Sequence, residues 1–166
     1  MSDAASTNRN YKDSLFRMIF REKEKLLSLY NAINGTHYTD PEELVVTTIE
    51  DVLYMGLKND VSFLIDDVLN LYEHQSTRNP NMPLRGLFYI SSLYQGHIKS
   101  NDLDLYSGVL LKLPTPRYIV FYNGTKDEPD RTRLRLSDSF TKKDGERWVE
   151  CTALMLNINY GHNREL

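Results

Sequence analysis

Residues 59–76 read NDVSFLIDDVLNLYEHQS, two strand-like apolar runs separated only by Asp66 and Asp67. A connection of two residues folds the runs back on each other as an antiparallel hairpin, and the turn fixes the register. Centring the turn on Asp66–Asp67 pairs Ile65 with Val68 and sets Asp60 opposite Glu73. Side chains alternate between faces, so Asp60, Ser62 and Leu64 share one face with Leu69, Leu71, Glu73 and Gln75. The same register puts Lys58 opposite Gln75, while His74 points to the other face, where a core role is expected. Directly opposed side chains have Cβ atoms only ~5 Å apart, and like charges there are destabilising. A solvated hairpin edge tolerates such a pair; otherwise one carboxyl takes a proton or a cation sits between them. Two close carboxylates with oxygens to spare suit Mg²⁺, which takes one or two protein carboxylates plus waters and phosphate oxygens.

The remaining chain limits what surrounds the hairpin. Its 166 residues suit a single domain spanning 1–166, and a 26 % charged, 40 % hydrophobic composition is that of a globular protein. The lone Cys151 excludes an internal disulfide framework and, inside ECTALMLNI, reads as a buried inert thiol. No apolar stretch approaches the ~18 residues of a membrane span, and MSDAASTNRN lacks a signal-peptide core, so the expected setting is cytoplasmic. The net charge is only −3, but residues 37–75 carry nine acids against Lys58, whereas residues 76–100 carry Arg78, Arg85 and Lys99 and no acid. An acidic segment followed by a basic one suits cations held near a polyanion; uneven solvated surface would look similar.

Periodicity supplies the other elements. KDSLFRMIF and KLLSLYNAING have helical spacing, with Asp13 placed to cap the first and Gly35 to end the second. LVVTTI reads as a strand, and EDVLYMGLK as either a strand or a short helix. STRNPNMP is a loop; LRGLFYISSLYQGHI is a helix with Pro83 in its first turn and Leu84, Leu87, Phe88, Ser91 and Tyr94 on one face. YIVFYNG and CTALMLNIN read as buried strands, and RTRLRL as an alternating one. This order specifies an α/β domain with a mixed sheet.

Residues 58–94, KNDVSFLIDDVLNLYEHQSTRNPNMPLRGLFYISSLY, resemble the PD-(D/E)XK nuclease superfamily, and within it the recombination-promoting nuclease (Rpn) or PD-(D/E)XK nuclease family transposase group. EHQS, NPNMPLR, PTPRYIVFYNG and LNINYGHN carry the same likeness, which with DSLFRMIF and LYNAI covers most of the chain. The resemblance implies a restriction-endonuclease-like αβββαβ core, a mixed β-sheet flanked by helices, and Mg²⁺-dependent DNA cleavage (Mn²⁺ as the alternative ion) by a transposase-derived endonuclease acting in recombination. It makes Asp60 the first metal-binding acid, with Asn59 where the superfamily name has Pro, and Glu73 the second. Gln75 stands where Lys is usual, a substitution found in this group, and Asp13 corresponds to an early helix acid of some members. Longer members continue past GHN into a largely helical region that this chain lacks.

Several roles follow from chemistry. Gln75 can orient a water but brings no positive charge, which Lys58 is expected to supply as a further catalytic group. Arg85 heads the helix after the hairpin, where it positions phosphate or forms a surface ion pair. Arg78 adds to the basic stretch as a phosphate contact. Arg131, Arg133 and Arg135 share one strand face and either track a DNA backbone or protect a sheet edge by charge. DNA is the expected partner, no membrane is, and cleavage of both strands would call for a homodimer. The competing expectation is a catalytically weak or inactive truncated relic that binds DNA or protein; a metal-dependent phosphodiesterase for small substrates is a third.

Overall fold

The computed structural model describes residues 15–47, 60–142, 145–146, 148–164 and 166. The architecture is α/β, a six-stranded mixed sheet flanked by helices. Helix α1 covers 15–19, and α2 is Lys23–Asn34. Strands β1 (Val45–Val46), β2 (Val61–Ile65) and β3 (Val68–Gln75) follow, then helix α3 (Met82–Ser100). Strands β4 (Thr115–Tyr122), β5 (Arg131–Arg135) and β6 (Thr152–Asn157) complete the sheet. Its order is β1-β2-β3-β4-β6-β5, and no described helix is long and apolar enough to cross a membrane.

The hairpin has the register that its short turn dictates. Val61 pairs with Tyr72 and Ile65 with Val68. Asp66 and Asp67 both take left-handed conformations, φ 48° and 55°, as a type I′ turn requires. The nineteen-residue helix α3 then carries the chain across one face, which lets β4 pair with β3 in parallel. β6 is parallel to β4, and β5 closes the far edge antiparallel to β6.

Each face of the sheet has its own core. On one, Phe16 of α1 and Leu26, Leu27 and Tyr30 of α2 cover Phe63, Tyr72 and Phe121. On the other, Met82, Tyr89 and Leu93 of α3 cover Leu71, Tyr118, Val120 and Met155. Gly35 ends α2 at φ 65°, its N–H bonded to the Asn31 carbonyl, as the sequence leads one to expect. Residues 118–122 of β4 are all buried, and Cys151 is a buried free thiol.

One expectation about α3 is corrected. Its buried stripe is Met82, Gly86, Tyr89 and Leu93, whereas Leu84 and Phe88 are exposed. The decisive residue is Gly86: a Cβ there would lie 2.4 Å from the Tyr118 ring. The helix presses its smallest residue against an aromatic strand, and this close approach outweighs the more apolar stripe one step round. Of LVVTTI, strand pairing is described for Val45–Val46; Thr48 and Ile49, with EDVLYMGLK and Asp13, lie outside the described residues.

Candidate active site

The two acids meet where β2 begins and β3 ends, and they are bound crosswise. The Asp60 N–H donates to Glu73 Oε1 at 3.1 Å, and the His74 N–H donates to Asp60 Oδ2 at 2.8 Å. Each carboxylate thus reaches the backbone of the opposing segment, with Glu73 buried and Asp60 partly so. The alternation of β3 sends Glu73 and Gln75 to the α3 face and His74 to the other, where its ring stacks on Phe16 at 5.5 Å. His74 has the core position expected of it.

Two arginines flank the pair. Arg85, in the first turn of α3, donates from Nη2 to Glu73 Oε2 at 2.9 Å. Its Nε and Nη2 also donate to the Tyr89 hydroxyl at 3.2 and 2.8 Å, a contact that the i, i+4 helical spacing provides. From the opposite side of the sheet, Arg17 of α1 brings Nε to 3.6 Å from Asp60 Oδ1. Arg85 therefore forms a part-buried ion pair with a proposed metal ligand, not the surface pair weighed from sequence.

Burial raises the Glu73 carboxyl to about 8, with the charge of Asp60 pushing the same way; Arg85, the Asp60 amide and Arg17 pull down less strongly. Below that pH Arg85 faces a largely neutral acid. Burial, and then the negative charge of Glu73, likewise raises the Tyr89 phenol, which stays protonated.

Gln75 is buried, and its Oε1 accepts the Asn79 N–H at 3.2 Å, tying the end of β3 to the following loop. Arg78 is turned toward Glu128, Nε to Oε2 at 3.7 Å. Lys58, expected beside Gln75, lies outside the described residues, as does Asn59. Arg131, Arg133 and Arg135 are exposed on β5, opposite Leu156, Leu154 and Thr152 of β6. That register places them on the α1–α2 face and three strand spacings from β3, about 14 Å. The structure does not gather them with Glu73, Gln75 and Arg85.

Sequence reasoning missed Arg17 as a partner of Asp60 and Tyr89 as the holder of Arg85. The second was recoverable from the four-residue spacing; the first depends on how α1 crosses the sheet, which no local pattern states.

No protein-family model, curated protein or solved structure matches this chain.

Among the described residues no group of three or more His, Cys, Asp or Glu side chains is placed to hold a metal. An ion here would rest on Asp60 and Glu73 together with waters and substrate oxygens, the usual coordination of Mg²⁺. The donor set fits once Glu73 is ionised, as a nearby cation favours: two hard carboxylates on residues that touch through the backbone.

Proposed function

We propose that this chain is a divalent-metal-dependent DNA endonuclease with a restriction-endonuclease-like core, of the transposase-derived kind that acts in recombination. The single observation that carries the reading is the crosswise contact of Asp60 and Glu73. It is supported by the element order, a helix, three antiparallel strands, a helix and a parallel strand, which is the order the resemblance implies.

Asp60 and Glu73 would hold Mg²⁺ or Mn²⁺. When bound, such an ion lowers the pKa of a water and offsets charge on the phosphoryl oxygens. The protein's own groups do the positioning. Burial of Glu73 beneath α3 excludes bulk water from one side of the acid pair. The Asn79 amide fixes the carboxamide of Gln75, whose remaining lone pair and N–H groups can orient a water. Arg85 offers guanidinium donors at the head of α3 for a phosphate, and Tyr89 holds that guanidinium in place.

The second reading, a DNA- or protein-binding module of little or no catalytic power, is favoured by one specific observation: each acid is already in contact with an arginine, Asp60 with Arg17 and Glu73 with Arg85. Supercoiled plasmid incubated with the protein and Mg²⁺ or Mn²⁺ separates the two. The nuclease nicks it, and a chelator or Asp60→Ala abolishes nicking. Intact plasmid with either ion, or equal nicking by Asp60→Ala, defeats the nuclease reading. Two-strand cleavage would further call for a homodimer.

A further inference from the structure

A cavity lies on the face away from Glu73, between α1 and the segment that follows β6. It encloses about 550 Å³, within the usual range for a small-ligand site. Phe16, Phe20 and Phe121 form an aromatic floor, with Phe16 within 4.7 Å of Phe20 and 5.4 Å of Phe121. Tyr160 stands fully exposed at its margin, and Asn163 also lines it.

The arginines of β5 are on this same face. Directly opposed strand residues share a face, and Arg131 faces Leu156, itself opposite Phe121 of the cavity floor. Arg131 also donates from Nε to Asn163 Oδ1 at 3.3 Å, joining the row to the cavity wall. Alternate residues of a strand stand ~6.8 Å apart, a spacing comparable to that of consecutive phosphates in an extended nucleic-acid strand. Neither Arg133 nor Arg135 has an ion-pair partner among the described residues, and the nearby Asp130 is engaged by His162 at 2.5 Å.

We propose that this face binds single-stranded nucleic acid: phosphates follow Arg131 and Arg133 along β5, and one unstacked base enters the aromatic cavity past Tyr160. A positively charged track beside aromatic rings is what sequence-tolerant single-strand binding requires, because every base has a π face while the phosphates supply the charge. An edge strand suits the task, since among the described residues no strand pairs with the outer side of β5, leaving that edge open to a polymer. The inference rests on the nuclease reading only for the class of polymer; the surface itself shares no residue with the acid pair.

Binding of an oligodeoxythymidylate to the full chain, followed by fluorescence anisotropy with chelator present, tests it. Binding is expected, and Tyr160→Ala, an exposed substitution, should weaken it on the order of 10- to 100-fold. Arg133→Ala should lower the slope of log affinity against log salt by about 0.7. Duplex of the same length should bind less tightly and be indifferent to Tyr160→Ala. No binding of the oligonucleotide, or equal binding by wild type and Tyr160→Ala, overturns the proposal. Because no divalent ion is present, loss of plasmid nicking with retained single-strand binding would defeat only the nuclease reading, and the converse only this one.

Discussion

The guanidinium of Arg85 lies 2.9 Å from the carboxylate of Glu73, bridging the head of α3 to the last turn-distal stretch of β3. Glu73 is buried, so removing its partner leaves a desolvated acid that keeps the Asp60 amide as a donor. Arg85→Ala should therefore destabilise the fold by about 1–3 kcal/mol. Glu73→Gln keeps the shape and, above about pH 8 where the carboxyl is ionised, removes the charge, so at such pH the Arg85 substitution should cost less in the double variant. Urea denaturation of the four proteins measures that coupling. Additive effects would mean that the two side chains are neighbours without an energetic link.

The same acid makes stability depend on pH. Burial holds Glu73 near 8 in the folded chain against an ordinary value of 4.5. Between those values the folded state keeps a proton that the unfolded state has released. The contribution of Glu73 is thus most favourable below about pH 4.5 and declines as pH rises toward 8, by up to ~1.4 kcal/mol per pH unit. With chelator present, the stability of Glu73→Gln relative to wild type should rise across that window and level off above it. A difference that is flat with pH would mean that the carboxyl ionises normally.

Two glycines of α3 should respond to alanine in opposite directions. At Gly86 the added Cβ meets the Tyr118 ring at 2.4 Å; at Gly96 nothing lies within 4 Å. Overpacking costs about 1–3 kcal/mol, whereas a Gly-to-Ala change in an unhindered helix gains up to about 1 kcal/mol. Gly86→Ala should lower the denaturation midpoint and Gly96→Ala raise it. Equal responses would remove the basis for the rotation of α3.

That rotation also marks where sequence reading gave way. The hairpin was legible because a two-residue turn and a period of two leave one register, and the register alone brought Asp60 to Glu73. Buried β4 and β6 and alternating β5 were legible from composition and period. The face of α3 was not, because Leu84 and Phe88 make the more apolar stripe while the true one turns on the absence of a side chain at Gly86. Nor could local pattern tell that Arg131, Arg133 and Arg135 lie on the sheet face opposite Glu73. That follows from β5 pairing with β6 in the register that sets Arg131 against Leu156, a long-range fact.

The turn that sets the acid pair is itself open to improvement. Asp66 and Asp67 occupy φ 48° and 55°, a region that disfavours residues with a Cβ, although aspartate tolerates it better than most. Asp66 is held there by the Tyr38 hydroxyl, which donates to its Oδ2 at 3.2 Å, while Asp67 is exposed. Asp67→Gly should relieve the left-handed strain and remove one of two adjacent negative charges. The greater freedom of glycine in the unfolded chain offsets part of that gain, leaving a net stabilisation of about 0.5 kcal/mol. Gly35→Ala, at φ 65° with open space around it, is the reverse change and should destabilise by about 1 kcal/mol. Thermal unfolding of both variants checks the pair. A loss of stability in Asp67→Gly would show that the aspartate side chain contributes more to the turn than its backbone conformation costs.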